Sequence, residues 1–304
     1  MKKAKLLILG LALLFLSSCS FPGLSSNDNE DTVGITGGVT SEAQILGSIV
    51  AGMVEHYTDL DTTVINNLAT TTINHQAMIN NNASISAARY TGTDVTTTLG
   101  LPAEKDPKKA FDLVSKEFEK RYHQTWFPSY GFDNTYVFLV RKDTAEKYNL
   151  KKVSDLKNVA GELTAGVDTA WITREGDGYD GFKQTYGFEF SSILPMQIGL
   201  VYDAVDAGRM DIVLGYSTDG RIASYDLVML EDDLQFFPPY DAAAVATDAV
   251  LTKNPEIRDA LDRLAGTIDT EQMQKLNFRA DNDLVEPSVV AKEFLEEHNY
   301  FEGK

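Results

Sequence analysis

The chain has 304 residues, of which 43% are hydrophobic and 24% are charged, and its formal net charge is −18. This length favours about two globular domains. The excess of 45 acidic over 27 basic residues argues against a nucleic-acid-binding protein, because an acidic surface repels the phosphate backbone. The single cysteine excludes an intrachain disulfide, a cysteine-based zinc site and an iron–sulfur cluster.

The N-terminal segment has the pattern of an export signal. Three lysines within the first five residues precede an apolar run at 6–16, which is too short to cross a bilayer as a helix but fits the core of a signal peptide. Two serines then lead into Cys19, an ending that resembles the lipobox of bacterial lipoproteins. We therefore expect residues 1–18 to be a signal peptide and Cys19 to be lipidated. The alternative is an ordinary secreted chain with a chance free thiol.

Strand and helix patterns alternate through the first half of the chain. Residues 19–31 have the composition of a flexible tether, rich in serine, asparagine and acidic residues. After it, strands are predicted at 32–35, 62–66 and 84–88, and helices at 42–57, at 73–80 and from Pro107 onward. Such alternation indicates the α/β class, with a mostly parallel sheet covered by helices on both faces.

The second half of the chain continues in the same style. Strands are predicted at 135–140, 162–167, 211–216, 225–230 and 242–250, and helices at 198–207, 255–264, 270–278 and 287–298. No repeat of a solenoid type accompanies these elements. The two halves together predict an α/β protein with two units.

Motifs for cofactors and metals are weak. Residues 176–181 spell GxGxxG, but no clean buried strand precedes them, and Asp177 and Asp180 would face the pyrophosphate that the motif should hold. We interpret this stretch as a turn that leads into a helix. The four histidines lie far apart and in no metal-ligand spacing. The sequence therefore predicts no cofactor and no metal site.

Ser217 is the one candidate nucleophile. It lies in the stretch GYSTDG at 215–220, which misses the GxSxG nucleophile elbow by one residue. A turn or a helix cap is the preferred interpretation. The alternative is an envelope-anchored serine hydrolase, which requires a histidine close to the Ser217 hydroxyl.

Four tyrosines accompany the ends of predicted strands. They are Tyr90, Tyr136, Tyr216 and Tyr240. Ligands of open α/β sheets lie at the carboxyl ends of strands, so these rings can meet at one site. A quaternary ammonium group has no N–H to donate and is recognised through its diffuse charge by aromatic faces. The pattern therefore favours a cage for such a cation, although any one tyrosine alone is more simply a residue at the edge of a core.

Several stretches resemble one protein family over essentially the whole chain after the tether. They are SEAQIL (41–46), YTGT (90–93), GFDNTY (131–136), SDL (154–156), REGDGY (174–179) and GYSTDGRI (215–222). In these stretches the chain is similar to the substrate-binding lipoproteins of osmoprotectant ABC importers, which bind glycine betaine, carnitine and choline. The resemblance implies a two-lobed type II periplasmic-binding-protein fold and a non-enzymatic role outside the membrane, in partnership with the importer's permease subunits.

The resemblance also implies a set of ligand-binding residues. The four cage tyrosines of the family correspond to Tyr90, Tyr136, Tyr216 and Tyr240, and two further pocket positions correspond to Thr93 and Asn134. Threonine at position 93 accompanies broad ligand acceptance in the family, whereas aspartate accompanies a preference for choline. The implied lobes are residues 32–127 plus 236–304 and residues 128–235.

The partner of a ligand carboxylate is left open by the sequence. Some relatives carry lysine or glutamine in the loop after the first strand, where this chain has glycines followed by Thr40 and Ser41. The backbone N–H groups of this loop, Ser41, the start of the following helix and Arg174 are the candidates. A milder alternative keeps the receptor role and changes the ligand to an amino acid or another small polar solute.

Overall fold

The computed structural model describes residues 32–174 and 177–300. The predicted signal peptide, the tether and Cys19 lie outside these residues. The first described strand begins at Thr32, where the sequence pattern predicts folding to begin. Within the described ranges, no helix has both the length and the apolar character needed to cross a bilayer.

The strands of the described chain belong to two sheets. They are β1 (Thr32–Thr36), β2 (Asp61–Ile65), β3 (Ile85–Tyr90), β4 (Gln124–Trp126), β5 (Tyr136–Arg141), β6 (Thr164–Asp168), β7 (Ser192–Met196), β8 (Ile212–Tyr216), β9 (Leu227–Leu230) and β10 (Ala242–Thr247).

The α-helices lie between these strands and at the end of the chain. They are α1 (Ser41–Tyr57), α2 (Thr71–Ile79), α3 (Thr91–Thr93), α4 (Pro107–Tyr122), α5 (Lys142–Tyr148), α6 (Thr169–Ile172), α7 (Tyr179–Tyr186), α8 (Val201–Asp206), α9 (Arg221–Ser224), α10 (Asp248–Lys253), α11 (Glu256–Asp262), α12 (Thr270–Asp281) and α13 (Pro287–Glu297). A short π-helix follows α3 at Asp94–Thr98, and short 3-10 helices lie at Val153–Asn158, Ala160–Glu162 and Ile198–Leu200.

Each sheet forms the centre of one lobe. The first sheet has the strand order β2-β1-β3-β10-β4, and the second has the order β7-β6-β8-β5-β9. Buried apolar side chains cover both faces of each sheet. Helix α1 packs on the first sheet, and α12 and α13, which come last in the chain, pack against α1 in the same core. The predicted two-lobed α/β architecture is confirmed.

The prediction of mostly parallel sheets is wrong. In the first sheet β1 pairs in parallel with β2 and β3, whereas β10 is antiparallel to both β3 and β4. In the second sheet β6 pairs in parallel with β7 and β8, whereas β5 is antiparallel to β8 and β9. Strands β5 and β10 are the strands that follow the two crossings between sheets. A strand that enters from the other lobe has no helical crossover to reverse its direction, so it can pair antiparallel.

The two crossing segments lie side by side between the sheets. Asp133 and Asp241 form an isolated antiparallel bridge, the Asn134 N–H donates to the Tyr240 carbonyl at 3.2 Å, and the Tyr240 N–H donates to Asp133 Oδ1 at 2.7 Å. Before this contact Phe132 packs in the core of the first lobe, and before Tyr240 Phe237 packs in the core of the second. The connection is therefore a short two-stranded hinge.

One predicted strand ends earlier than the sequence pattern indicates. The apolar stretch at 242–250 forms β10 only as far as Thr247. The Thr247 hydroxyl then accepts a hydrogen bond from the Val250 N–H at 3.3 Å, which caps the start of α10. A threonine followed by an acidic residue is a helix start signal, and here it overrides the β propensity of the valine that follows.

Candidate functional site

One cavity of about 200 Å³ between the two sheets contains all six ligand-binding residues predicted from the sequence. Its lining consists of Tyr90, Thr93, Asn134, Tyr136, Arg174, Tyr216 and Tyr240. The four tyrosines therefore converge on one space, with Arg174 beside them. The common location of these side chains is observed. Their role in ligand binding stays a prediction.

Strand geometry explains why the four rings meet. Tyr90 is the last residue of β3 and Tyr216 the last of β8. Tyr136 is the first residue of β5, but β5 runs antiparallel to β8, so Tyr136 lies directly opposite Tyr216 and their ring centroids are 5.1 Å apart. Tyr240 precedes β10, which pairs antiparallel with β3 and places Ala242 opposite Tyr90. Tyr90 and Tyr216 thus lie at the carboxyl ends of strands, where ligands of α/β sheets bind. Antiparallel pairing brings Tyr136 and Tyr240 to the same edges.

Gly92 in the YTGT stretch allows close packing against the hinge segment. A Cβ on Gly92 would lie 2.4 Å from the Pro239 carbonyl oxygen and 3.2 Å from the Tyr240 ring, so a larger residue would push the hinge segment away. The Thr91 hydroxyl donates to the same carbonyl at 3.2 Å. The glycine therefore lets the turn that carries Thr93 pack against the segment that carries Tyr240.

Asp94 does not contribute to the cavity lining. Its carboxylate pairs with Arg89, whose Nε donates to Asp94 Oδ2 at 2.8 Å, and both side chains are fully buried. Thr98 also donates its hydroxyl to Asp94. This ion pair fixes the backbone on either side of Tyr90 and Thr93, so Asp94 supports the site without entering it.

Two of the cage tyrosines donate their phenol protons to carboxylates. The Tyr90 hydroxyl lies 2.6 Å from Glu42 Oε1, and the Tyr136 hydroxyl lies 2.9 Å from Asp168 Oδ2. Burial is the main cause that raises the pKa of Tyr90 and of Tyr136, and the neighbouring carboxylates raise them further. Burial likewise raises the pKa of Tyr240 to about 12. All three rings are therefore neutral phenols at physiological pH.

Glu42 is a site residue that the sequence analysis missed. It lies in the first turn of α1, is 4% exposed and accepts hydrogen bonds from Tyr90 and from Asn134 Nδ2 at 2.8 Å. Asn277 Nδ2 donates to its other oxygen at 3.1 Å. The sequence feature that could have identified Glu42 is its position three residues before Ile45, on the apolar face of the helix. An acidic residue on that face needs buried partners.

Arg174 places a positive charge in the cavity. Its guanidinium carbon lies 5.3 Å from the centroid of the Tyr136 ring, and its Nη1 pairs with Asp177 Oδ2 at 3.2 Å. The charge of the guanidinium also opposes the rise of the Tyr240 pKa that burial causes. The guanidinium therefore lies over an aromatic face of the kind that attracts cations.

Ser41, another candidate partner of a ligand carboxylate, lies outside this cavity. Together with Thr40 and Glu42 it lines an adjacent cavity of about 250 Å³. Its hydroxyl donates to Asp281. Asn134 and Tyr216 line both cavities, so the two spaces are neighbours on either side of these residues.

The Ser217 hydroxyl forms hydrogen bonds with backbone groups. It donates to the Asp133 carbonyl at 2.7 Å and accepts from the Thr135 N–H at 3.0 Å. These contacts join the end of β8 to a crossing segment of the hinge. The serine thus connects two backbone segments, and no contact among the described residues favours the hydrolase alternative.

Comparison with known proteins decides the family. The model of the substrate-binding domain of ABC-type glycine betaine transport systems matches residues 31–297. The chain belongs to this family. The resemblance inferred from the sequence is confirmed, and the protein is a substrate-binding component of an osmoprotectant ABC importer. Binding components of this kind act outside the cytoplasm, in association with the membrane and with permease subunits.

Individual members of the family are similar along most of the chain. The carnitine transport binding protein OpuCC of Listeria monocytogenes is 56% identical over 291 residues, which cover 96% of this chain and 94% of that protein. The crystal structure of a glycine betaine/carnitine/choline ABC transporter superposes with a TM-score of 0.87 at 51% identity and covers 89% of this chain and 100% of the other. Apo YehZ from Escherichia coli, at 23% identity and a TM-score of 0.77 over 88% of this chain and 99% of the other, shares the fold.

Proposed function

We propose that this protein captures quaternary ammonium compatible solutes, namely glycine betaine, carnitine and choline, and delivers them to an importer permease. The convergence of Tyr90, Tyr136, Tyr216 and Tyr240 on one cavity carries the proposal. Four aromatic faces attract a diffuse cation that offers no hydrogen-bond donor. The carnitine-binding relative and the glycine betaine/carnitine/choline transporter structure support the same ligands. The proposed role consists of binding the solute and releasing it to the permease, and it includes no catalytic step.

The cage draws on both lobes, so ligand binding favours a closed cleft. Tyr90 and Tyr240 lie beside the first sheet, and Tyr136 and Tyr216 belong to the second. At about 1–2 kcal/mol for each desolvated cation–π contact, four rings supply about 4–8 kcal/mol before costs. A micromolar complex requires about 8.2 kcal/mol net. Polar contacts must therefore add to the rings, and a ligand that bridges the lobes stabilises closure.

Arg174 is our candidate partner for the ligand carboxylate. It lies at the cavity beside Tyr136 and Tyr240, and a guanidinium is the side chain best suited to bind a carboxylate with two parallel hydrogen bonds. Betaine and carnitine carry a carboxylate, whereas choline does not. Thr93 and Asn134 line the same cavity and complete the polar set.

We retain the lobe boundaries as a proposal, with residues 32–127 plus 236–304 in one lobe and 128–235 in the other. The packing of Phe132 with the first core and of Phe237 with the second favours crossing points a few residues later than these limits. Lobe motion would then be concentrated where Asp133 and Asp241 pair.

We further propose that Cys19 anchors the protein to the membrane by a lipid. The support is the N-terminal pattern of basic, apolar and small residues that ends at this cysteine. The test is detergent-phase partitioning of the full chain expressed in a bacterium. Wild-type protein should enter the detergent phase, and Cys19→Ser should shift it to the aqueous phase.

Titration calorimetry tests the ligand proposal. Purified protein is titrated with glycine betaine, carnitine and choline, and at least one should bind with millimolar or tighter affinity. Tyr136→Ala and Tyr240→Ala should each weaken binding about tenfold or more. Tyr148→Ala, at a tyrosine outside the cavity lining, is the control and should bind like the wild type.

Two results would contradict this proposal. Failure of all three compounds to bind at millimolar concentration would exclude it directly. Binding of an amino acid or another small polar solute, with Tyr136→Ala nearly neutral, would keep the receptor role and replace the ligand class.

A further inference from the structure

We infer that Glu42 and Asp168 are positioning residues that strengthen cation binding by the cage, acting through the hydroxyls of Tyr90 and Tyr136. The inference rests on the proposed function, since it concerns how the same cage attracts its ligand. Neither carboxylate lines the cavity. Each lies behind a ring that does.

Glu42 holds Tyr90 from the first lobe. The carboxylate is buried, and its Oε1 accepts the Tyr90 hydroxyl at 2.6 Å together with Asn134 Nδ2 at 2.8 Å. Its Oε2 accepts Asn277 Nδ2 at 3.1 Å, and that same amide nitrogen donates to the Thr218 carbonyl at 2.9 Å. Three donors therefore fix the carboxylate, which in turn fixes the orientation of the Tyr90 ring.

Asp168 holds Tyr136 from the second lobe. It is the last residue of β6, and its Oδ2 accepts the Tyr136 hydroxyl at 2.9 Å. The Tyr136 ring also packs near Tyr216 and Phe237, with ring centroids at 5.1 Å and 5.7 Å, and near the Arg174 guanidinium. The opposite lobes thus supply the same arrangement, a cage tyrosine whose proton points at a fixed anion.

A phenol that donates to a carboxylate has a more electron-rich ring. The anion draws the O–H proton toward itself and leaves negative charge on the oxygen, which is conjugated with the ring. Because cation–π attraction follows the negative charge of the ring face, both rings should bind a cation more strongly than an unassisted tyrosine would. Burial increases the effect, since hydrogen bonds polarise one another more in a low-dielectric environment.

Tyr240 provides the internal contrast. Among the described residues its hydroxyl donates to no carboxylate, and the Arg174 guanidinium lines the same cavity, so its ring receives no such assistance. The cage therefore contains at least two kinds of tyrosine, and the two assisted by carboxylates lie in different lobes. Closure of the cleft brings both of them to the same cation.

The test compares a cation with its uncharged isostere. Asp168→Asn and Glu42→Gln keep the size of each side chain and remove its charge. Choline and 3,3-dimethylbutan-1-ol, in which carbon replaces the quaternary nitrogen, are titrated into each variant. Choline binding should weaken roughly three- to tenfold, and binding of the neutral alcohol, measured by competition, should stay unchanged.

A matched control uses a tyrosine–aspartate pair away from the cavity. The Tyr225 hydroxyl donates to Asp203 Oδ1 at 2.8 Å, so Asp203→Asn removes the same kind of charge and should leave choline binding unchanged. Thermal unfolding verifies that each variant is folded. Should Glu42→Gln fail to fold because its three donors lose their anion, Asp168→Asn alone still decides the question.

A double-mutant cycle tests whether the carboxylate acts through the hydroxyl. In a Tyr136→Phe background, Asp168→Asn should weaken choline binding little further. An equal additional loss would mean that the charge acts directly on the ligand, and equal losses for choline and the alcohol would mean a packing role only. Either result, or no loss at all, overturns the inference. If the wild type binds none of the quaternary ammonium ligands, the proposed function and this inference both fail.

Discussion

Arg174 lies over the ring of Tyr136, with its guanidinium carbon 5.3 Å from the ring centroid. The protein's own cation therefore lies close to one of the tyrosines that form the proposed cage. Asp177 pairs with the same guanidinium at 3.2 Å, so the arginine is held on one side by an anion and on the other by an aromatic face. A ligand with a carboxylate gives this guanidinium an anionic partner, whereas choline does not.

Substitution of Arg174 should separate zwitterionic from purely cationic ligands. Arg174→Ala removes the candidate carboxylate partner and a positive charge beside the cage. Betaine affinity should fall about tenfold or more, as expected for a charge-assisted hydrogen bond of about 1.5–3 kcal/mol. Choline affinity should be unchanged or higher, because like charge is removed. Titration calorimetry with both ligands measures the ratio.

The control for this substitution is Arg209→Ala, which removes an exposed arginine of the second lobe away from the cavity. It should change neither affinity. Equal losses of betaine and choline binding in Arg174→Ala would contradict the assignment and indicate that the arginine supports the shape of the cavity.

An aspartate in place of Thr93 should shift preference toward choline. Thr93 lines the cavity beside Tyr90 and Tyr240, so a carboxylate there would attract the ligand ammonium and repel a ligand carboxylate. Thr93→Asp should raise the ratio of choline to betaine affinity about tenfold or more, measured by titrating each ligand. Thr93→Asn, which has a similar size and no charge, is the control. A change of the same size in Thr93→Asn would assign the effect to shape.

The sequence predicts the residues that line the cavity better than the carboxylates that lie behind them. The strand-end pattern and the family motifs each point to all four tyrosines, although in the structure only Tyr90 and Tyr216 lie at the carboxyl end of a strand. Glu42 and Asp168 were missed because each is defined by a partner far along the chain, and one sequence does not display such pairs. An acidic residue on an apolar helix face was the only local trace of Glu42.

The same limit applies to the sheets. Alternating strand and helix patterns correctly predict the α/β class, and the family resemblance correctly implies two lobes. They do not reveal that β5 and β10 enter their sheets from the other lobe and pair antiparallel. The direction of these strands depends on where the chain crosses the hinge, which is a property of the whole fold. A βαβ pattern in the sequence indicates only that a helix connects two parallel strands of one sheet.

The buried pair behind the YTGT turn should dominate the stability of this region. Arg89 and Asp94 form an ion pair in which both side chains are inaccessible to solvent. Asp94→Ala therefore leaves an uncompensated buried guanidinium. The free energy of unfolding should fall by about 3–5 kcal/mol, measured by urea denaturation. Asp112→Ala breaks a Lys108 pair whose side chains are 83% and 58% exposed and should cost well under about 1 kcal/mol.

Comparable losses in these two variants would contradict the buried-pair argument. Ligand affinity offers a second measurement, because Asp94→Ala also releases the backbone that carries Tyr90 and Thr93. Affinity for every ligand should fall together in this variant, in contrast to the selective effects expected at Arg174 and Thr93.

Asp133 should make the stability of the hinge depend on pH. Burial raises the pKa of Asp133 from 3.8 to about 7, and the charge of Asp241 adds to the rise, although the Tyr240 N–H opposes it. The folded state therefore holds a proton that the unfolded chain releases above pH 4. Its contribution to the free energy of unfolding is present at low pH and is lost as the pH rises from about 4 to 7.

Asp133→Asn isolates this contribution. The amide oxygen can still accept the Tyr240 N–H, which now lies 2.7 Å from Oδ1, and the side chain can no longer ionise. Urea denaturation of both proteins at pH 5 and pH 8 should show the wild type losing about 2 kcal/mol of stability relative to the variant over this interval. A stability difference that stays constant between the two pH values would show that Asp133 ionises in the folded hinge as it does in the unfolded chain.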